Sequence, residues 1–129
     1  MKVLLDTSAY SALMSGDERV AGVVRSSEQI VIPAVVMGEL LYGFAGGNRS
    51  RQNRKQLELF LESDRVVFQE TDRSVCERYA LVMHHLRAKG RPIPTNDVWI
   101  GAHALAAGAD LVTLDQRFSE IEGLILSMY

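Results

Sequence analysis

Two apolar patterns alternate along the chain. Short unbroken apolar runs are separated by longer segments in which apolar residues return every three or four positions. The first pattern reads as strand buried on both faces, the second as helix with one buried stripe. Lys2–Leu5 is such a run and delivers Asp6 at its C-terminal end. Thr7 or Ser8 is placed to cap a helix over Ala9–Met14, with Gly16 as its stop. A second short helix is expected over Asp17–Arg25 and a strand over Gln29–Ile32. Pro33 suits the first turn of a helix reaching Phe44, and Gly46-Gly47 ends it. Arg49–Ser63 reads as helix and Arg65–Phe68 as a third strand. Thr71 or Asp72 caps a long helix to Lys89, in which Val75, Tyr79, Val82 and Leu86 form the stripe. Gly90–Pro94 is a loop, and Asn96 is expected to cap a helix over Asp97–Ala107 that Gly108 closes. Asp110–Leu114 is a fourth strand and Leu124–Ser127 a fifth.

Strands alternating with helices predict an α/β fold with a parallel sheet. In such sheets ligands bind at the C-terminal ends of the strands. The length of 129 residues fits one domain spanning 1–129. No bilayer span is expected, because the longest apolar-leaning run, Ile30–Gly38, contains Pro33 and stops at Glu39. No signal peptide is read at the start, where Lys2 and three apolar residues are followed at once by Asp6. The single cysteine, Cys76, excludes an internal disulfide and a cysteine-based zinc site, so a reducing cytoplasm is the default compartment. The net charge of −2 neither suggests nor excludes a nucleic-acid partner.

The placement of four acids changes this picture. Asp6 follows the first strand and Asp115 the fourth. Asp97 opens a helix, and Glu39 lies among Val35, Val36, Leu40 and Leu41. A carboxylate in such surroundings is costly without compensation. No basic partner is read beside these acids in the sequence, and a divalent cation would compensate several at once. Clustered hard oxygen ligands select Mg²⁺ or Mn²⁺. Such a site binds phosphate, activates water and stabilises a pentacoordinate transition state. Each acid has a plainer alternative. Asp6 is then a helix cap, Asp97 a first-turn acid favoured by the helix dipole, Glu39 the partner of a distant Arg, and Asp115 a turn former.

The residues around these acids carry a family resemblance. Val3-Leu4-Leu5-Asp6-Thr7-Ser8, Val36-Met37-Gly38-Glu39-Leu40-Leu41-Tyr42-Gly43, Asn96-Asp97-Val98-Trp99-Ile100-Gly101-Ala102 and Leu111-Val112-Thr113-Leu114-Asp115-Gln116-Arg117-Phe118 occur in one order along nearly the whole chain. Together they resemble the PIN-domain ribonucleases, most closely the VapC-type toxins of bacterial toxin–antitoxin pairs. The resemblance implies a three-layer α/β/α sandwich with a mostly parallel four- to five-stranded sheet. It implies an Mg²⁺- or Mn²⁺-dependent endoribonuclease leaving 5′-phosphate and 3′-hydroxyl ends. Asp6, Glu39, Asp97 and Asp115 would be its catalytic and metal-binding acids, with Asp115 acting mostly through water. The implied partners are an RNA substrate, a small cognate antitoxin whose tail blocks the site, and a second copy in a homodimer. Gly101 stands where Ala is commoner in the family, and no consequence is expected.

Thr7 and Ser8 are candidates to position water or the scissile phosphate, or simply to cap a helix. Thr113 is a candidate donor to a carboxylate or a buried strand residue. Arg49, Arg51 and Arg54, with Lys55, read either as RNA phosphate contacts or as a solvated helix face; Arg87, Lys89 and Arg91 are a weaker case of the same choice. His84 and His85 diverge on a helix and, with His103, read as surface or core residues rather than a metal-free catalytic set. Trp99, Phe44 and Met83 read as core or interface. A phosphoacceptor signalling module is excluded: the third strand ends Phe68-Gln69-Glu70, and Lys2, Lys55 and Lys89 include no late lysine. A non-toxin PIN nuclease, or a silent RNA- or protein-binding PIN module, is the alternative. A silent module would be favoured by missing acids, and all four are present.

Overall fold

The computed structural model describes residues 1–128. The elements run β1 (Lys2–Leu5), α1 (Thr7–Met14), α2 (Glu18–Ser26), β2 (Gln29–Pro33), α3 (Ala34–Ala45), α4 (Ser50–Leu61), β3 (Val66–Gln69), α5 (Arg73–Ala88), α6 (Thr95–Ala107) and β4 (Asp110–Thr113). A 3₁₀ turn at Gln116–Glu120 and β5 (Leu126–Met128) complete the chain. The strands form one sheet in the order β3-β2-β1-β4-β5 with every pair parallel. Helices flank it as an α/β/α sandwich.

The topology follows from the sequence pattern. Val3, Leu4 and Leu5 of β1 are consecutive and fully buried, as are Leu111 and Val112 of β4. Consecutive burial requires helices on both faces of a central strand. The chain builds outward from β1 to β2 and β3, then returns to lay β4 on the other side of β1. Leu5 pairs with Val112, and the Asp6 N–H donates to the Val112 carbonyl at 3.3 Å. The sheet therefore reverses direction between β1 and β4, and a crevice opens at their C-terminal ends.

Helix starts differ from the sequence reading in an informative way. Asp6, not Thr7 or Ser8, caps α1: its Oδ1 accepts the Ala9 N–H at 2.8 Å. Asp17 likewise sits outside α2 as its cap. Asn96 does not cap α6, which starts at Thr95 after Pro94 with no side-chain cap. Pro94 itself holds the cap position and has no side-chain acceptor; its carbonyl instead accepts the Asp97 N–H at 3.0 Å and the Val98 N–H at 3.2 Å. β3 lies one residue later than expected, and β4 ends at Thr113, leaving Leu114 exposed. The expected fifth strand is shorter and starts later, at Leu126.

α6 is buried over most of its surface. Its His103 side chain is fully buried and satisfied at both ring nitrogens. Nδ1 donates to Gln69 Oε1 at 2.9 Å, because that oxygen can only accept. Nε2 is therefore the acceptor for the Thr71 hydroxyl at 3.0 Å, while Gln69 Nε2 donates back to the His103 carbonyl at 3.3 Å. The neutral imidazole ties the end of β3 to α6. Tyr79 and Trp99, both half-buried, stack at 3.8 Å between α5 and α6.

Gly101 overturns the expectation of no consequence. A Cβ built there would stand 2.5 Å from Cδ1 of the buried Ile121. Glycine thus lets the segment after the 3₁₀ turn pack against α6. Gly101→Ala should gain helix propensity of about 1 kcal/mol and lose more to overpacking of about 1–3 kcal/mol. Ile121→Val removes the clashing methyl. We predict that Gly101→Ala destabilises the wild-type chain and stabilises the Ile121→Val chain. Urea denaturation of all four proteins measures this coupling, and simple additivity would refute it.

Candidate active site

Four elements bring an acid to the crevice. Asp6 stands at the junction of β1 and α1, Asp115 just after β4, Asp97 in the first turn of α6 and Glu39 in α3. Three of the four are held by their own sets of donors. Asp6 is only 4% exposed. Its Oδ1 accepts from the Ser8 hydroxyl at 2.7 Å and from Ala9 N–H, and its Oδ2 accepts from the Thr113 hydroxyl at 2.5 Å. Glu39 accepts from the Thr7 hydroxyl on one oxygen and from Asn96 Nδ2, at 3.2 Å, on the other. Thr113 Oγ1 in turn accepts the Asp115 N–H at 2.9 Å, and Ser8 Oγ accepts the Leu114 N–H at 3.1 Å. Thr7 and Ser8, read as positioning water or phosphate or as caps, are therefore engaged in holding the acids, and Thr113 donates to a carboxylate, one of the two roles read for it. The hydroxyl of Thr113 bridges β4 to Asp6.

Asp115 caps the 3₁₀ turn, its Oδ1 accepting the Arg117 N–H at 2.9 Å. The Arg117 guanidinium folds back onto the same carboxylate, with Nη2 at 2.5 Å from Oδ2. The same Nη2 lies 3.6 Å from Asp97 Oδ2. The expectation that no basic residue stands by these acids is thus corrected. Arg117 lies two positions from Asp115, and only the fold brings it to Asp97. At 3.6 Å it is too far to donate, and Asp97 Oδ2 is buried without a hydrogen-bond partner.

The titration of the acids reflects their crowding. Burial pushes the Asp97 carboxyl up to about 6; Arg117 opposes the rise, and the charges of Asp115, Glu39 and Asp6 add to it. Burial also raises Asp6, against the donors Thr113, Ala9 and Ser8, with the charge of Asp115 adding to the rise. Asp115 is instead held below the ordinary value by its bonds to Arg117.

Among the described residues, no three His, Cys, Asp or Glu side chains form a group that holds a metal ion as they stand. Asp6, Glu39 and Asp115 are turned to their own donors instead. The donor set is nevertheless that of a hard divalent cation: carboxylate oxygens from four elements, mutually repelling, with one buried oxygen lacking any donor.

The remaining candidates lie apart from the acids. Arg49, Arg51 and Arg54 are exposed at the start of α4, and none is bonded to the four acids; Arg49 Nε donates to Gln52 at 2.8 Å. His84 and His85 are exposed on α5 beside a cavity of about 490 Å³ that none of the four acids lines, and His85 faces Glu122 at 2.7 Å. Sequence reasoning missed Asn96 as a donor to Glu39 and Arg117 as a counter-charge. The Arg-Phe pair after Asp115 was the available signal for the latter.

An all-parallel sandwich with an acid-lined crevice at its reversal point is the architecture of a small acid-pocket α/β domain. The pattern of the PIN domain matches residues 3–124, and the chain belongs to the PIN-domain family. It is 30% identical over 131 residues to ribonuclease VapC1 of Haemophilus influenzae strain R2866, covering 95% of this chain and 96% of that protein. Its fold matches VapBC2 from Rickettsia felis, crystallised with a DNA fragment from their promoter. The TM-score is 0.88 at 28% identity, over 100% of this chain and 99% of that one. It also matches VapBC-1 from nontypeable Haemophilus influenzae at a TM-score of 0.87 and 29% identity, over 99% and 98% of the two chains.

Two pH linkages run in opposite directions here. Between its ordinary 3.8 and about 6, Asp97 binds more protons in the native chain than in the unfolded one, so its contribution falls as pH rises. His103 is lowered from 6.5 to about 4 by burial. Across that window the unfolded chain binds more protons, so its contribution rises with pH. Asp97→Asn removes the first linkage and keeps the second. In chelator, this variant should be more stable than wild type above pH 6, by about 2 kcal/mol. The gap should close below pH 4. Thermal unfolding across this range checks it, and a gap independent of pH would refute the raised carboxyl.

Proposed function

We propose that this chain is an endoribonuclease, the toxin of a type II toxin–antitoxin pair, and that it acts in the cytoplasm as one catalytic domain on RNA. The observation that carries this reading is the meeting of Asp6, Glu39, Asp97 and Asp115 in one crevice, where one buried Asp97 oxygen lacks any donor. Family membership and likeness to ribonuclease VapC1 support the reaction. The solved VapBC relatives support an antitoxin partner. No helix among the described residues is long and apolar enough to cross a membrane. A homodimer is part of the same reading.

Asp6, Glu39 and Asp97 would hold Mg²⁺ or Mn²⁺, with Asp115 completing the set largely through water. When bound, the ion supplies positive charge that neutralises the acids and stabilises the phosphoryl transition state. The chain's own groups do the rest. Thr113 and Ser8 donate to the two oxygens of Asp6 and so orient its carboxylate. Thr7 and Asn96 do the same for Glu39. A crevice carboxylate accepts the proton of the attacking water. The water oxygen forms the new bond to phosphorus in line, and the bond from phosphorus to the 3′-oxygen breaks. The departing 3′-oxygen takes a proton from solvent, so the products are a 3′-hydroxyl and a 5′-phosphate. Arg49, Arg51 and Arg54 lie exposed on α4, with chemistry suited to neighbouring phosphates.

Purified full-length protein should cleave a structured RNA in Mg²⁺ and lose that activity in EDTA. Asp6→Asn should lower the cleavage rate about 100-fold or more while its far-UV circular dichroism is unchanged. Wild-type cleavage by Asp6→Asn, or persistence of activity in chelator, would refute the assignment.

A further inference from the structure

The position of Arg117 has no role in the reaction as derived above. Its backbone is anchored, because Phe118 beside it is buried in the core. Its side chain is 58% exposed and leans over the crevice. Nε lies 3.1 and 3.0 Å from the two Asp115 oxygens, and Nη2 faces Asp115 Oδ2 and Asp97 Oδ2 together. Two acids from different elements thus share one guanidinium nitrogen. These are also two of the acids assigned to the metal, so the inference rests on the metal-dependent reading of this site.

We propose that Arg117 is a built-in counter-ion that occupies the cation position between Asp97 and Asp115 and must be displaced when a divalent metal binds. A dication drawing on these two carboxylates needs the oxygens that Nη2 now faces. Two positive charges cannot share that position, because their repulsion adds to the loss of the guanidinium's own bonds. The exposed stem allows the head to swing outward while Phe118 keeps the backbone in place. Arg117 therefore steadies the crevice without metal and lowers its affinity for metal. Its contact with Asp97 is long and undirected, so the ion can complete what the arginine only approximates. Released, the guanidinium remains tethered at the rim of the crevice.

The test compares full-length wild type, Arg117→Ala, Arg117→Gln and Asp97→Asn, each titrated with Mg²⁺ and with Mn²⁺ by calorimetry. Both Arg117 variants should bind metal roughly three- to tenfold more tightly than wild type, the range expected for loss of one partly exposed ion pair. They should melt at lower temperature in EDTA and gain more from added Mg²⁺ than wild type gains. Asp97→Asn should bind more weakly. In the wild type, the Arg117 Nε–H signal in a ¹⁵N correlation spectrum should move as Mg²⁺ saturates the site. Equal or weaker binding by both Arg117 variants, with Asp97→Asn still weaker than wild type, would overturn the counter-ion role and leave the metal reading standing. An Arg117 signal that stays in place at saturating Mg²⁺ would do the same. Absence of metal binding by all four proteins would remove both.

Discussion

Mutual repulsion among four carboxylates is the constraint around which this molecule is arranged. Asp6, Glu39, Asp97 and Asp115 come from four places in the chain and meet where the sheet reverses direction. Left to themselves they would separate or take up protons. The structure holds them with a graded set of donors instead. Hydroxyls serve Asp6 and Glu39, an amide serves Glu39, and a guanidinium serves Asp115. Asp97 receives the least, and burial, with the charges of its acidic neighbours, pushes its carboxyl up to about 6.

Such a crevice needs a stiff floor. The central strands supply it, because β1 and β4 are buried residue after residue and leave no room to relax. The Asp6 backbone hydrogen bond to Val112 joins the two strand ends. Away from the crevice, the His103, Gln69 and Thr71 contacts tie α6 to the end of β3, which helps fix the helix bearing Asp97. Gly101, on that same helix, lets Ile121 approach closely. The placement of one acid thus depends on an imidazole and a missing methyl far from any chemistry.

The strands and the identity of the acids were legible in the sequence because both depend on near neighbours. An unbroken apolar run reads as a doubly covered strand, and an acid at its end or inside an apolar helix is conspicuous. Element boundaries were less legible, since Asp6 and Thr7 compete for one helix start and only backbone geometry decides. Asn96 resembled a cap because asparagine is favoured at that position, yet the cap position falls on Pro94, and Asn96, inside the helix, turns its amide to Glu39. Arg117 beside Asp115 was visible, but its reach to Asp97, twenty positions away, belongs to the tertiary structure. Gly101 against Ile121 is of the same kind. A close approach between distant segments has no local signature.

The strand order also sets when the crevice can exist during synthesis. β1 lies at the middle of the sheet, yet its neighbour β4 is made only after β2, β3 and all six α-helices. Until Asp110–Thr113 emerge, Leu4 and Leu5 lack one flank, and the acid at the end of β1 has no Thr113 to hold it. A nascent chain that already carries three of the four acids is therefore still without the complete crevice. Whatever chemistry the crevice performs is withheld until β4 has been made and laid beside β1.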